Sequence, residues 1–378
     1  MAGAKSWRRR FLLAIVALAA AAGAAESGTR VWLHFVADEA SFQRYASIGE
    51  LRDRYGVFER FCTHRHLGFA LAKGYRKGAN RHNELGFRGD EIAREKPAGT
   101  ARIVCCGGST TYGEGVEDHT QSMPALLQQQ LRADGRAVEV INAGCPGWTT
   151  LETLVNFETR VLDLSPDWIV VYHGINDVLP RMVWPHDAYR GDWSGWLCRE
   201  EHVREASLLE RSALFRVLCV RAGALEPHGS IMRIIGDVAP TCRSFAFRAQ
   251  RNAGTYPAGI FRDTPVEAML AANPPVYFER NLRSLLAVAS AHGVRVLLST
   301  FAFHRGWPAQ ACIGHPAVQA AIDETNEIVR RIGRESGTPV LDLAPQLVGK
   351  ELFTDGVHFT VAGNRKRADL VAEFFRSR

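Results

Sequence analysis

The stretch IVCCGGSTTYG, residues 103–113, places a serine directly after a short apolar run and a pair of glycines. A continuous apolar run of this length is typical of a strand that is buried on both faces of a sheet. Gly107 and Gly108 permit a tight turn from this strand into a helix. We therefore expect Ser109 at the edge of the sheet, near a helix N-terminus. The alternative is a simple turn in which Ser109 only caps a helix.

Four further apolar runs follow, and helical patterns separate them. They read AVEVIN, DWIVVY, VRVLLST and TPVLDL and start at residues 137, 167, 294 and 338. Strands that alternate with helices predict a parallel sheet that is covered on both faces. The sequence therefore predicts an α/β protein, a three-layer αβα sandwich with five parallel strands. A long insertion with little periodicity, residues 178–275, follows the third strand.

Chemically useful residues follow several of these strands. The second strand leads into NAGCPG, which contains Gly147, and the third leads into GIND, which contains Asn176. The fifth is followed, after a loop, by Asp355 and His358. Ligands of parallel sheets bind beyond the carboxyl ends of the strands. We therefore expect these residues and Ser109 to meet at one edge of the sheet.

This set of groups fits acyl transfer. A serine nucleophile needs a base, because its own pKa is far above neutral. His358 can take the proton, and Asp355, three residues earlier, can orient the ring and fix its tautomer. The oxyanion that forms needs preorganised donors. The N–H of Ser109, the N–H of Gly147 and the side-chain amide of Asn176 are the candidates.

The same motifs resemble the four blocks of the SGNH hydrolases, also called GDSL hydrolases. The segments GGSTTYG, NAGCPGWTT, GIND and DGVHFTVAG match the serine, glycine, asparagine and histidine blocks, in the order of that family. The resemblance covers about residues 100–177 and 280–378. The segment NELGFRGDE, before the first strand, is similar to a secreted or membrane-anchored subset of the family.

The resemblance implies a flavodoxin-like sheet and an ester-hydrolysing serine centre with no metal or other cofactor. It implies Ser109 as nucleophile, His358 as base and Asp355 as the group that orients the base. The aspartate that usually precedes the serine is Gly108 here. The insertion is far longer than in small family members, so the substrate cannot be inferred from them.

The N-terminus has the layout of a secretory signal. Basic residues, Lys5 and Arg8 to Arg10, precede an apolar run from Phe11 to about Ala25, which ends in small residues. This run is shorter than the ~20 residues that a spanning helix needs. We expect export with cleavage of residues 1–25, with an uncleaved signal-anchor as the alternative. The bulk of the chain is then extracytoplasmic, periplasmic or secreted.

The predicted domain organisation has three parts. Residues 1–25 form the signal peptide or signal-anchor, residues 26–98 form a leader segment that packs on the core, and residues 99–378 form the hydrolase domain with its insertion. Within the insertion, three tryptophans could form either a lid over the substrate or a small core; they are Trp184, Trp193 and Trp196.

Other classes of protein fit less well. The net charge of +6 comes mainly from scattered arginines, so we expect no nucleic-acid partner. The eight cysteines include no C-x-x-C pair, which disfavours zinc. Thr111 stands where the nucleophile elbow of α/β-hydrolases has glycine. No dinucleotide-binding or P-loop glycine motif follows the first strand.

We therefore expect a serine esterase or acyl hydrolase that acts on an ester-bearing small molecule, lipid or acylated saccharide. Two alternatives stay open. One is O-acetyl transfer or deacetylation on extracytoplasmic polysaccharide, and the other is a non-catalytic binding module on the same scaffold. Near the asparagine block, we expect His173 to be a packed strand-end residue and Asp177 to brace its own turn.

Overall fold

The computed structural model describes residues 2–47, 50, 54, 60–182, 189–192, 207–225, 265–308 and 312–378. The chain divides into two compact units. The smaller comprises Met1–Val57 and Glu200–Asp237, and the larger comprises Phe58–Arg199 and Val238–Arg378. In this division the described insertion residues 207–225 group with the N-terminal residues. The domain boundaries expected from the sequence stay a prediction. The three tryptophans of the insertion lie outside the described residues.

Nine strands lie in the described residues of the larger unit. They are β1 (Phe61–His64), β2 (Gly68–Leu71), β3 (Arg76–Lys77), β4 (Asn80–Arg81), β5 (Ala101–Gly107), β6 (Val138–Gly144), β7 (Trp168–Tyr172), β8 (Arg295–Ser299) and β9 (Val340–Leu341). The last five form one parallel sheet in the order β6-β5-β7-β8-β9, and the first four form two small antiparallel pairs. The predicted five-stranded parallel sheet is confirmed.

Eleven α-helices lie in the described residues. They are α1 (Ala2–Phe35), α2 (Glu39–Tyr45), α3 (Ser109–Tyr112), α4 (Met123–Ala133), α5 (Thr150–Asn156), α6 (Ile175–Val178), α7 (Ala213–Arg221), α8 (Val266–Ala272), α9 (Val276–Ala291), α10 (Pro316–Ser336) and α11 (Val361–Arg376). The first two and α7 belong to the smaller unit. A capping box between Thr149 and Glu152 is present at the start of α5.

The side chains of β5 alternate between two apolar cores. Val104 and Cys106 join the core that α5, α9 and α10 cover. Ile103 and Cys105 join the core that α4 and α11 cover. Both faces of the strand are therefore buried, as its unbroken apolar run predicts. The result is the predicted three-layer αβα sandwich.

The edge strand β9 is shorter than the TPVLDL run suggests. It pairs with β8 only through Val340 and Leu341. The N–H of Leu343 then donates a hydrogen bond to the carbonyl of Leu341 at 3.0 Å, which turns the backbone away from β8. The chain leaves the sheet here because Leu343 enters a buried turn rather than extending the ladder.

Helix α1 continues well past residue 25, where the apolar run was expected to end. Ser27 and Thr29 donate to carbonyls one turn earlier, and Arg30 pairs with Glu26, so the polar residues after Ala25 keep the helix intact. Its stretch Arg9–Phe35 has 27 residues and a mean hydropathy of 1.8. By length and composition this helix is sufficient to cross a membrane, a property that signal sequences share.

Candidate active site

Ser109 lies at the turn between β5 and α3. Gly108 is the N-cap of α3 and Ser109 its first residue, so the serine does not cap the helix with its side chain. A Cβ on Gly107 would lie 2.5 Å from the carbonyl oxygen of Tyr172 in the adjacent strand. Only glycine fits there, and the close approach of the two backbones sets the position of the turn.

The structure brings Ser109, His358 and Asp355 into one hydrogen-bonded chain. The Nε2 atom of His358 lies 2.8 Å from Oγ of Ser109. Its Nδ1 atom lies 2.6 Å from Oδ2 of Asp355. The other oxygen of Asp355 accepts the backbone N–H groups of Val357 and His358, which folds the D-x-x-H loop back on itself. Ser109 and His358 are thus in direct contact, although they are 249 positions apart in the sequence.

The charges of His358 and Asp355 stabilise each other. Burial disfavours the imidazolium, but the Asp355 carboxylate outweighs burial and raises the pKa of His358 above its usual value. Burial similarly disfavours the Asp355 carboxylate, yet its hydrogen bonds with His358 lower the pKa of Asp355. The arrangement therefore stabilises a positively charged ring at the moment when His358 holds a proton.

Asn176 lies beside the serine turn. Its Nδ2 donates to the carbonyl of Trp148 at 3.0 Å. A Cβ on Gly108 would lie 2.5 Å from that same nitrogen, so the missing side chain at this position admits the amide. Gly147 precedes Trp148 and has a φ of 84°, in the left-handed region that favours glycine. The three candidate oxyanion donors are thus carried by segments that meet around the serine.

A buried polar network joins the asparagine and glycine blocks. Oδ1 of Asp177 accepts the N–H of Thr150 at 2.9 Å and its hydroxyl at 2.6 Å. Asn281 of α9 donates to the same hydroxyl. His173 is buried, and its Nε2 lies 2.7 Å from the hydroxyl of Thr153. Asp177 therefore braces the start of α5, and not only its own turn as expected.

Sequence reasoning missed one residue that supports the serine helix. Arg88 is buried, and its guanidinium donates to four carbonyls that follow α3 or end it: Tyr112, Gly113, Val116 and Glu117. A buried guanidinium that is saturated with backbone acceptors fixes the chain around it. Its only sequence signal is its place in NELGFRGDE, which does not reveal its partners.

Among the described residues, no group of three or more His, Cys, Asp or Glu side chains is placed to hold a metal ion. The imidazole of His358 is occupied on both nitrogens by Ser109 and Asp355.

A serine, a histidine and an aspartate at the carboxyl edge of a parallel sheet are typical of hydrolases that use an acyl-enzyme. The chain belongs to the GDSL-like lipase/acylhydrolase family, whose model matches residues 105–366. It is therefore a hydrolase that acts on ester bonds. The resemblance of the four sequence motifs to this family is confirmed.

Solved structures of similar fold include several bacterial esterases. A lipase/acylhydrolase from Enterococcus faecalis is 19% identical, with a TM-score of 0.42, over 74% of this chain and 96% of that chain. An acetylxylan esterase from Geobacillus stearothermophilus is 14% identical, with a TM-score of 0.42, over 72% of this chain and 93% of that chain. No curated protein sequence matches the chain.

Proposed function

We propose that this hydrolase cleaves carboxylic esters through an acyl-enzyme on Ser109, outside the cytoplasm. The observation that carries the proposal is the continuous chain of contacts from Ser109 through His358 to Asp355, at 2.8 Å and 2.6 Å. Such a chain delivers the serine proton to a base whose orientation is already set.

The first half of the reaction forms the acyl-enzyme. Oγ of Ser109 attacks the ester carbonyl carbon while its proton passes to Nε2 of His358. The negative charge on the carbonyl oxygen is stabilised by the N–H groups of Ser109 and Gly147 and by the amide of Asn176. The C–O bond to the alcohol then breaks, and His358 returns the proton to the departing oxygen.

The second half releases the acid. Water attacks the acyl carbon as His358 takes one of its protons, and the bond to Ser109 breaks as Oγ recovers a proton. Asp355 stays ionised throughout and holds Nδ1–H of the ring, so that Nε2 remains the reactive nitrogen.

The substrate that we propose is an ester-bearing small molecule, lipid or acylated saccharide outside the cytoplasm. The location is supported by the basic and apolar N-terminus and by the length of α1. Transfer of the acyl group to a sugar hydroxyl instead of water would use the same Ser109 intermediate. The two outcomes differ only in the acceptor, so product analysis with and without an added sugar acceptor separates them.

The test is a comparison of two serine variants of the full chain. We expect Ser109→Ala to abolish turnover of short p-nitrophenyl esters and to abolish covalent labelling by a fluorophosphonate. Ser299→Ala is the matched control, because Ser299 is also a buried serine at a strand end and its hydroxyl has no hydrogen-bond partner among the described residues. We expect this control to keep both activities.

Labelling also separates an enzyme of narrow specificity from a binding module. A protein that turns over no simple ester but is labelled at Ser109 still has an activated nucleophile. Labelling of Ser109→Ala at the wild-type level, or no labelling of the wild type, contradicts the proposal.

A further inference from the structure

Helix α1 has two parts with different surroundings. Its large apolar side chains from Phe11 to Leu18 are exposed; they are Phe11, Leu12, Leu13, Ile15, Val16 and Leu18. From Glu26 onward the helix packs within the smaller unit, where Leu33 is fully buried. A helix that exposes apolar residues all round is stable in a lipid bilayer but not in water.

The second part of α1 is tied to the insertion by a polar contact. Glu26 accepts hydrogen bonds from the hydroxyl of Ser212 and from the backbone N–H groups of Ala213 and Leu214, at 2.6–2.9 Å. Arg30 pairs with Glu26 at 2.7 Å and also donates to the carbonyl of Arg211. The start of α7 therefore lies at the level of Glu26 and Arg30 on α1.

Two exposed leucines precede this contact. Leu208 and Leu209, in the 3-10 turn Leu208–Arg211, are 75% and 65% exposed. The turn is held in place by a capping box between Ser207 and Glu210. A rigid turn that presents two adjacent leucines to water has an apolar surface that lipid can cover.

We propose that α1 is retained as a membrane anchor and that Leu208 and Leu209 contact the outer interface of the bilayer that it spans. A hydrocarbon core of about 30 Å takes ~20 helical residues. Counted from Phe11, that length ends at Arg30. The inner end then carries Lys5 and Arg8 to Arg10, the charge arrangement that keeps an N-terminus in the cytoplasm.

The hydrogen bonds of Glu26 support the same position of the bilayer along α1. A carboxylate in the last turns of a membrane span is costly unless it has hydrogen-bond donors. The segment 212–214 and Arg30 supply those donors, so this segment has to lie at the same depth as Glu26. Leu208 and Leu209 are only a few residues before it and reach the same interface.

The opposite end of α7 carries Arg221. The guanidinium of Arg221 lies 6.0 Å from the ring of Trp32, near the C-terminal end of α1. The helix α7 thus runs beside α1 in the direction from Glu26 toward Trp32, so that the preceding turn with Leu208 and Leu209 lies at the lipid side and Arg221 at the aqueous side. This asymmetry follows from the contacts within the smaller unit and is independent of the proposed ester chemistry.

The test uses photo-crosslinking of the full chain in liposomes of phosphatidylethanolamine and phosphatidylglycerol. Leu209 is replaced by p-benzoylphenylalanine in one variant, and Ala222, exposed just after α7, is replaced in the matched control. After irradiation, mass spectrometry measures protein–lipid adducts. We expect several-fold more adduct at position 209 than at position 222, and an intact mass that includes residues 1–25.

Two results overturn the proposal. One is a mature chain from expressing cells that begins after Ala24 or Ala25, because the anchor is then removed. The other is adduct formation at position 209 that is no greater than at position 222, because the leucines then do not face lipid.

Discussion

In the proposed mechanism, the residue on which the chemistry depends most is His358. Because Asp355 raises its pKa, the ring stays protonated to a higher pH than a free histidine. Only the neutral ring can accept the Ser109 proton, so activity is lost as pH falls through the raised pKa. We expect kcat/KM to decline in acid with a midpoint above about 6.5. A pH–rate profile measures this, and a profile that is flat down to about pH 4 contradicts a histidine base.

The variant Asp355→Asn identifies the cause of that midpoint. Without the carboxylate the pKa of His358 falls, so the acid limb is expected to move to lower pH. The turnover number is expected to fall by on the order of 10²–10⁴, because the amide no longer fixes the ring tautomer. Asp163→Asn, which changes an exposed carboxylate elsewhere, is the control and leaves the profile unchanged.

At the level of elements, we expect the contact of α6 with α5 to orient two of the proposed oxyanion donors. Asp177 lies next to Asn176 and binds Thr150, three residues after Gly147. We expect Asp177→Ala to lower kcat by about tenfold or more with little change in KM, because a misplaced donor weakens binding of the transition state alone. Stability is also expected to fall by ~1–3 kcal/mol, because the N–H of Thr150 loses its acceptor.

Two further variants separate positioning from a purely structural role. Asp177→Asn keeps an acceptor oxygen and is expected to restore much of kcat. Asn281→Ala removes another hydrogen bond to the Thr150 hydroxyl without touching α6, and is expected to reduce stability but not kcat. If Asp177→Ala loses stability while kcat stays at the wild-type level, Asp177 does not position the donors.

At the scale of the whole molecule, stability rests on the central sheet between its two cores. Leu297 in β8 is fully buried. We expect Leu297→Ala to reduce the free energy of unfolding by ~2–5 kcal/mol, through lost burial and the cavity left behind. Val348→Ala is the control, because Val348 is exposed and its loss is expected to cost less than about 0.5 kcal/mol. Urea unfolding measures both, and equal midpoints would contradict this account of the core.

The local sequence pattern was sufficient to predict the parallel sheet and the candidate site residues. Each strand of the parallel sheet belongs to an apolar run in the sequence, and the alternation of these runs with helices predicts that the strands are parallel. Parallel strands end at one edge, so the residues after them could be grouped without coordinates. The sequence therefore predicts that Ser109, Asn176 and His358 lie together, and the hydrogen bond between Ser109 and His358 agrees with that prediction.

The contacts between segments far apart in the sequence could not be predicted. Periodic patterns of apolar residues indicate local secondary structure, and they do not indicate which distant segments pack together. Arg88 meets the carbonyls after α3 only when the leader folds against the sheet, and Asp177 finds Thr150 only when α5 and α6 start side by side. The grouping of residues 207–225 with the N-terminal helix is of the same kind, since Glu26 and Ser212 are 186 positions apart. Such contacts depend on three-dimensional proximity, and proximity between remote residues is a property of the folded chain.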